Sequence, residues 1–149
     1  MSTNIRPLQP AELAWANACY TEVKFQASSP SDFIALAETE QGKAGLGRLV
    51  RIDAHCAELG GIYILPAYRG HGLARAIVDF LLQHSPYETL YCIPFTHLEP
   101  FYRGFGFVPL PQGAALPCAI AEKLNWCRQQ YAPAISLLVR TKTQDLLRR

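Results

Sequence analysis

The 149-residue sequence predicts an α/β chain, an α+β mixed sheet that is twisted and flanked by helices. Three observations carry this. Strand-like runs in the first half are joined by tight turns. Later runs alternate with helical patterns, which implies strand–helix–strand crossovers. One segment passes sharply from an apolar strand through a glycine-rich loop into an amphipathic helix. The predicted order is β-α-β-β-β-α-β-α-β-α-β.

Residues 4–8 read as a first edge strand, ended by Pro7 and Pro10. Residues 11–25 read as helix, with Leu13, Ala16, Tyr20 and Val23 on one stripe. Ser28-Ser29-Pro30-Ser31 is a loop. Strands follow at 33–38 and 45–52, joined by Glu40-Gln41-Gly42-Lys43 as a hairpin turn. A third strand covers 57–65 and contains Gly60-Gly61; paired glycines mark a bulge or a close backbone approach. Residues 72–83 form the clearest helix, because Leu73, Ala76, Ile77, Phe80 and Leu81 recur at i, i+3, i+4, i+7 and i+8. A short strand at 89–93 is closed by Pro94. A short helix at 98–105 ends at Gly106, and Phe107-Val108 begins another strand. Pro109, Pro111, Gly113 and Pro117 make a loop. The helix at 119–131 turns Ile120, Leu124 and Cys127 inward and Glu122, Asn125, Arg128 and Gln129 outward. After Pro133, residues 134–139 form a final β-branched strand, and Arg148-Arg149 is a solvated tail.

This length suits one domain, 1–149, burying about 70% of its unfolded surface. With 50% hydrophobic and 17% charged residues the chain is packed and globular. A net charge of +2 is too small for nucleic-acid binding by counterion release. No apolar run approaches the roughly 20 residues of a membrane span, and the N-terminal residues lack a signal-peptide core. The five cysteines are scattered without a CxxC pair, so neither a zinc site nor a redox dithiol is expected. Cys92 and Cys127 read as small core residues. His55 and Cys56 are adjacent on a strand and face opposite ways, so they form no metal pair. No metal, nucleic acid or membrane partner is expected, and a reduced, cytoplasmic protein fits best.

The stretch from Ile62 reads IYILPAYRGHGLARAIVDFLLQ. Its loop offers backbone N–H groups to an anion, the following helix adds its positive end, and Gly70 and Gly72 remove obstructing side chains. A phosphate-bearing cofactor follows. The loop alone equally describes a tight strand-to-helix turn. A Rossmann fingerprint lacks its third glycine here, although Glu88 falls near the acidic position, and the Gly-Lys-Ser/Thr of a Walker loop is absent.

The neighbouring residues narrow this. Arg69-Gly70-His71-Gly72-Leu73-Ala74 fits the pattern R/Q-x-x-G-x-G/A at every fixed position, and Ile64-Leu65-Pro66-Ala67-Tyr68 leads into it. Downstream, Phe101-Tyr102-Arg103-Gly104-Phe105-Gly106-Phe107 fits F-Y-x-x-x-G-F. On these blocks the chain resembles the GNAT superfamily of acyl-CoA-dependent N-acetyltransferases, over about residues 4–109. The resemblance implies the GNAT acyl-CoA N-acyltransferase fold and acetyl-CoA as co-substrate. The N–H groups of His71, Gly72, Leu73 and Ala74 would cradle the pyrophosphate, with Gly70 turning the loop and Arg69 near the charge. The pantetheine arm would pair with Tyr63 and Ile64 as a pseudo-strand, in a slot opened by a bulge at Gly60-Gly61. N–H groups near Ile64 would polarise the thioester carbonyl.

Acyl transfer to an amine of pKa near 10 needs a base for the ammonium and a proton for the departing thiolate. Glu58, eleven residues before Arg69, sits where histone-type members carry their general base; the alternative is an exposed strand carboxylate. His97 is a second candidate base, with a loop or cap role as its alternative. The resemblance gives Tyr102 the role of acid, against that of an aromatic core anchor. Phe95 stands where many members have asparagine, so Thr96 or backbone would supply that contact. Residues 109–133 exceed the family's usual hairpin and read as an acceptor-site wall lined by Trp126, Arg128 and Tyr131, with helix packing as the other account of Trp126. The expected activity is direct acetyl transfer in a ternary complex to a primary amine of a small molecule or peptide. The rival is a catalytically silent acyl-CoA-binding sensor or assembly module. An exposed final strand would support a homodimer, common in the superfamily.

Overall fold

The structure is a computed structural model that describes residues 2–142. Its strands are β1 (Thr3–Pro7), β2 (Phe33–Thr39), β3 (Gly42–Arg51), β4 (Cys56–Ile64), β5 (Thr89–Cys92), β6 (Val108–Pro109) and β7 (Leu138–Thr141); its α-helices are α1 (Leu13–Glu22), α2 (Leu73–His84), α3 (Glu99–Arg103) and α4 (Cys118–Gln130). The predicted element order is the observed one. A seven-stranded mixed sheet runs β1-β2-β3-β4-β5-β7-β6 and is flanked by helices. Two compact units make up the chain: residues through Val50 with Leu59–Ser85, and Arg51–Glu58 with the described residues from Pro86 on.

In the first unit β1, β2 and most of β3 form an antiparallel meander. Ile34 to Ala37 are all buried, which alternation with a solvated face would forbid. The register explains it. Ile34 and Leu36 lie opposite Arg48 and Leu46, and Leu36 and Leu46 pack with Ala16, Cys19 and Tyr20 of α1. Ala35 and Ala37 lie opposite Gly47 and Gly45, on the face that receives Ile77 and Leu81 of α2. Large residues meet one helix and small residues let the other approach closely.

Several boundaries differ from expectation. The helix expected from residue 11 begins as a 3₁₀ turn, Pro10–Glu12, because Gln9 and Glu12 form a capping box there. It ends at Glu22 rather than 25, since Lys24 is left-handed at φ 64° and the Phe25 N–H turns back to the Tyr20 carbonyl. Val23 therefore leaves the buried stripe, which Cys19 joins. The β2–β3 turn is only Glu40-Gln41, with β3 starting at Gly42.

In the second unit β5 pairs parallel with Cys56–Glu58 of β4 and antiparallel with β7, which also pairs with β6. Ile120 of α4 joins Cys56, Tyr91 and Val139 in its core. As expected, α4 buries Ile120, Leu124 and Cys127. Thr96–Leu98 form a 3₁₀ turn, and α3 is shorter than expected, closing at Gly104. The final strand begins at Leu138, not 134. Before it, Ile135 makes an isolated bridge to Phe95, and the Ser136 N–H bonds to the Pro94 carbonyl at 2.9 Å. Pro94 has no N–H to return, so no regular ladder forms. Nor is the final strand the outermost one: β7 lies between β5 and β6, whose Val108 and Pro109 pair with Val139 and Leu138. Arg148-Arg149 lies outside the described residues. No helix among them is long and apolar enough to cross a membrane.

Candidate active site

The glycine loop belongs to the first unit. After β4, Pro66–Tyr68 make one 3₁₀ turn and Arg69 is extended at φ −72°, ψ 153°. Gly70 and Gly72 then take φ of 85° and 76°. An added Cβ at either would meet nothing within 4 Å, so the backbone conformation, not crowding, calls for glycine. Gly72 is the N-cap of α2 and no side chain caps that helix. The first N–H groups of a helix have no intrahelical partner, so Leu73 and Ala74 present donors at its positive end. Leu73 turns its side chain into the core, 4% exposed, away from those donors.

Arg69 ties the loop to its strand: Nε donates to the Ile64 carbonyl at 2.9 Å, and the guanidinium lies 5.9 Å from the Tyr63 ring. The Leu65 N–H bonds to the Ala44 carbonyl at 2.9 Å. By strand alternation the Ile64 N–H then faces away from β3. Three residues earlier Gly61 is left-handed at φ 61°, and a Cβ there would lie 2.8 Å from both Arg48 Nε and the Tyr20 hydroxyl. The close approach expected of Gly60-Gly61 is thus found at Gly61, whose carbonyl accepts from Tyr20 at 2.8 Å. Arg48 itself is 3% exposed, stacks 4.2 Å above the Tyr20 ring and donates from Nη1 to the Ser28 hydroxyl. Its Nε is buried without a hydrogen-bond partner among the described residues.

Glu58, Tyr102 and His97 belong to the second unit. Glu58 is the last β4 residue paired to β5, opposite Tyr91. It is 6% exposed, so it is not an exposed strand carboxylate. Its Oε1 accepts from Lys123 Nζ at 2.7 Å. Tyr102, on α3, is 5% exposed and packs edge-on against Phe101 and Phe107, with centroids at 5.0 and 6.0 Å. Burial holds its hydroxyl pKa well above 10, and the neighbouring Cys92 and Glu58 push it further up. The phenol therefore carries its proton throughout the physiological range. Burial likewise raises Cys92 and Cys127, with Glu58 adding to both. Glu58, Lys123, Tyr102 and Cys92 thus form one electrostatic neighbourhood.

His97 is exposed in its 3₁₀ turn and stacks on Phe95 at 5.9 Å. Phe95 meets the edge of Tyr131 at 5.4 Å, and Tyr131 meets Trp126 at 5.7 Å, so two of the three expected wall residues share one aromatic cluster. Arg128 stays exposed. The Thr96 hydroxyl already accepts from Ser136 at 2.9 Å. Lys123 is not among the residues the motifs point to, although its position is informative: with Ile120, Leu124 and Cys127 it lies on the i, i+3, i+4, i+7 stripe that faces inward. The residues around Arg48 gave no comparable signal.

Residues 30–109 match the family model described as an acetyltransferase (GNAT) domain, and the chain belongs to that family. Solved structures agree on the fold. The Mycobacterium tuberculosis protein Rv2747, in complex with CoA and a second ligand, has 17% sequence identity and a TM-score of 0.73, covering 93% of this chain and 98% of that one. An acyl-CoA N-acyltransferase from Pseudomonas aeruginosa has 17% identity and a TM-score of 0.68, covering 94% of this chain and all of that one, 100%. N-acetylglutamate synthase from Neisseria gonorrhoeae, complexed with coenzyme A and N-acetyl-glutamate, has 14% identity and a TM-score of 0.67; 95% of this chain aligns with only 35% of that protein. A sequence search of curated proteins finds no match.

Proposed function

We propose that this chain is an acetyl-CoA-dependent N-acetyltransferase, a single domain working in the cytoplasm, that transfers acetyl to a primary amine of a small molecule or peptide by direct attack. The observation that carries this reading is the loop from Arg69 to Ala74, with two left-handed glycines opening onto an uncapped helix. The N–H groups of His71, Gly72, Leu73 and Ala74 hold the pyrophosphate of the donor. Gly70 turns the chain, and Arg69 contributes charge while fixing the end of β4. Tyr63 and Ile64 offer backbone to the pantetheine, and the Ile64 N–H polarises the thioester carbonyl. Crystallisation of Rv2747 with CoA and of the gonococcal synthase with coenzyme A supports this donor class.

Glu58 takes the ammonium proton, and the freed amine attacks the thioester carbon. Carbon–sulfur cleavage then leaves a thiolate. With its pKa raised, Tyr102 is a weaker acid than a thiol, so it serves mainly as a hydrogen-bond donor to the departing sulfur. A second reading, a silent acyl-CoA sensor, draws on one observation: Lys123 already occupies Glu58.

Calorimetry with acetyl-CoA, run beside a thiol-release screen against amines, amino acids, polyamines and peptides, tests both readings. Tyr102→Phe is expected to slow turnover about a hundredfold with acetyl-CoA binding kept. Binding without turnover on any acceptor would favour the sensor. Tighter binding of ATP or NAD than of CoA would overturn the assignment of the loop.

A further inference from the structure

Arg48 is out of place for a packing residue. It lies on β3 opposite Ile34, on the face where Leu36 and Leu46 pack with Ala16, Cys19 and Tyr20 of α1. Leucine or methionine would fill such a position, yet the chain puts a guanidinium there, 3% exposed. Its five N–H groups receive little in return. Nη1 has the Ser28 hydroxyl, the Tyr20 ring lies 4.2 Å away, and Nε has no hydrogen-bond partner among the described residues. No carboxylate among them forms an ion pair with it. Asp32, the acidic residue nearest to Ser28 in sequence, accepts instead from the Ser29 N–H and hydroxyl. One hydroxyl and an aromatic face do not compensate a guanidinium for its lost water.

The surroundings nevertheless hold this cation in one place. Asn17 of α1 clamps the Ser28 backbone, accepting from its N–H at 2.7 Å and donating to its carbonyl at 3.0 Å. Gly61, where a Cβ would lie 2.8 Å from Nε, lets the guanidinium come up against β4. Arg48, Ser28, Tyr20 and Gly61 all belong to the first unit, as do Tyr63, Ile64 and the loop from Arg69 to Ala74. Tyr63 packs against the same apolar cluster as Tyr20. Gly61 and Ile64 stand three residues apart on one strand, about 10 Å, which is the scale of an amino-acid-sized molecule.

We propose that Arg48 binds a carboxylate of the acceptor, so that the substrate is a small amine that also bears a carboxylate, as a free amino acid does. This inference rests on the acetyl transfer proposed above and names its substrate class. A carboxylate is the anion a guanidinium pairs with through two parallel N–H donors, and it supplies the charge that the protein withholds from Arg48. With the carboxylate at Arg48, the amine is left to face a thioester held at Ile64. So enclosed a cation suits a small free acid, not a carboxylate on the surface of a folded protein. Ser28 lies in the connection between α1 and β2, so admitting that acid displaces a loop and no helix or strand.

The test gives the full-length protein acetyl-CoA and matched acceptors in the thiol-release assay: amino acids against the amides and the decarboxylated amines of the same side chains. Calorimetry of these compounds on the CoA-saturated protein runs beside it. Amino acids are expected to show kcat/KM about a hundredfold above their partners that lack the carboxylate, the worth of one charged hydrogen-bonded pair. Arg48→Met should raise the amino-acid KM about a hundredfold with kcat and acetyl-CoA affinity kept, and Arg48→Lys should recover part of the loss. Its melting temperature should hold or rise, because an uncompensated buried charge has gone. Equal turnover of amino acids and their amides would overturn the proposal. So would an unchanged amino-acid KM in Arg48→Met with a lowered melting temperature, the mark of a structural arginine. Both outcomes leave the transferase reading standing, and should Arg48→Met fail to fold, the matched acceptors still decide. Acetyl-CoA binding with no turnover of any compound would overturn both, as would a failure to bind acetyl-CoA at all.

Discussion

Glu12 holds together the start of α1 more firmly than its place in a 3₁₀ turn suggests. Arg6 reaches it through two hydrogen bonds of 2.8 Å, Lys43 stands at 3.6 Å, and the Gln9 N–H donates at 2.9 Å. The Arg6 hydrogen bond is the main reason its pKa falls from 4.5 to about 2. A depressed carboxyl pKa means that between these values the unfolded chain binds the proton and the folded one does not. The stabilisation is complete above the ordinary 4.5 and is lost as pH falls toward 2. Glu12→Gln is expected to cost about 1 kcal/mol near neutral pH, for a well-formed but partly exposed pair. Urea unfolding at a series of pH values should show the gap from wild type closing across that acid window. At this scale the sequence was an uneven guide. Arg69, Gly70 and Gly72 were legible because a turn is encoded locally. For Lys123 the local pattern shows an inward-facing cation on α4 but not its partner, which lies 65 residues away in the chain.

Among the elements, α2 combines a face visible in the sequence with a seat that was not. Leu73, Ile77 and Leu81 were expected on its apolar stripe and are buried. What they pack on depends on β2–β3 register, which brings Ala35, Ala37, Gly45 and Gly47 to one face. A Cβ at Gly47 would lie 2.5 Å from Ile77 Cγ2 and 2.7 Å from Ile62 Cδ1. Gly47→Ala is therefore expected to destabilise by about 1–3 kcal/mol by overpacking, despite the better strand propensity of alanine; a lower denaturation midpoint at unchanged slope would register it. The same dependence on distant partners explains the misplaced start of the last strand. Residues 134–137 look like a strand from composition, yet their neighbour is Pro94, which cannot complete a ladder.

For the whole molecule, the sequence conveyed the order of elements but not which strands lie side by side, because strand neighbours are settled by tertiary packing. Its cysteine reading carries a direct test. All five cysteines are free thiols, Cys118 is exposed, and Cys19, Cys56, Cys92 and Cys127 are buried with pKa values raised chiefly by burial, Cys56 to about 11. Thiol titration of the folded protein should find one fast group, and denaturant should release the other four. The placement of β7 between β5 and β6 also bears on how the chain is made. Strands β1 to β3 and helices α1 and α2 are all encoded before residue 86, so the first unit has its parts while synthesis is under way. The second unit does not: among the described residues β6 has no strand neighbour but β7. Its sheet stays open on the ribosome until Leu138–Thr141 emerge, and Val108 and Pro109 wait through some thirty residues of synthesis for the strand that closes over them.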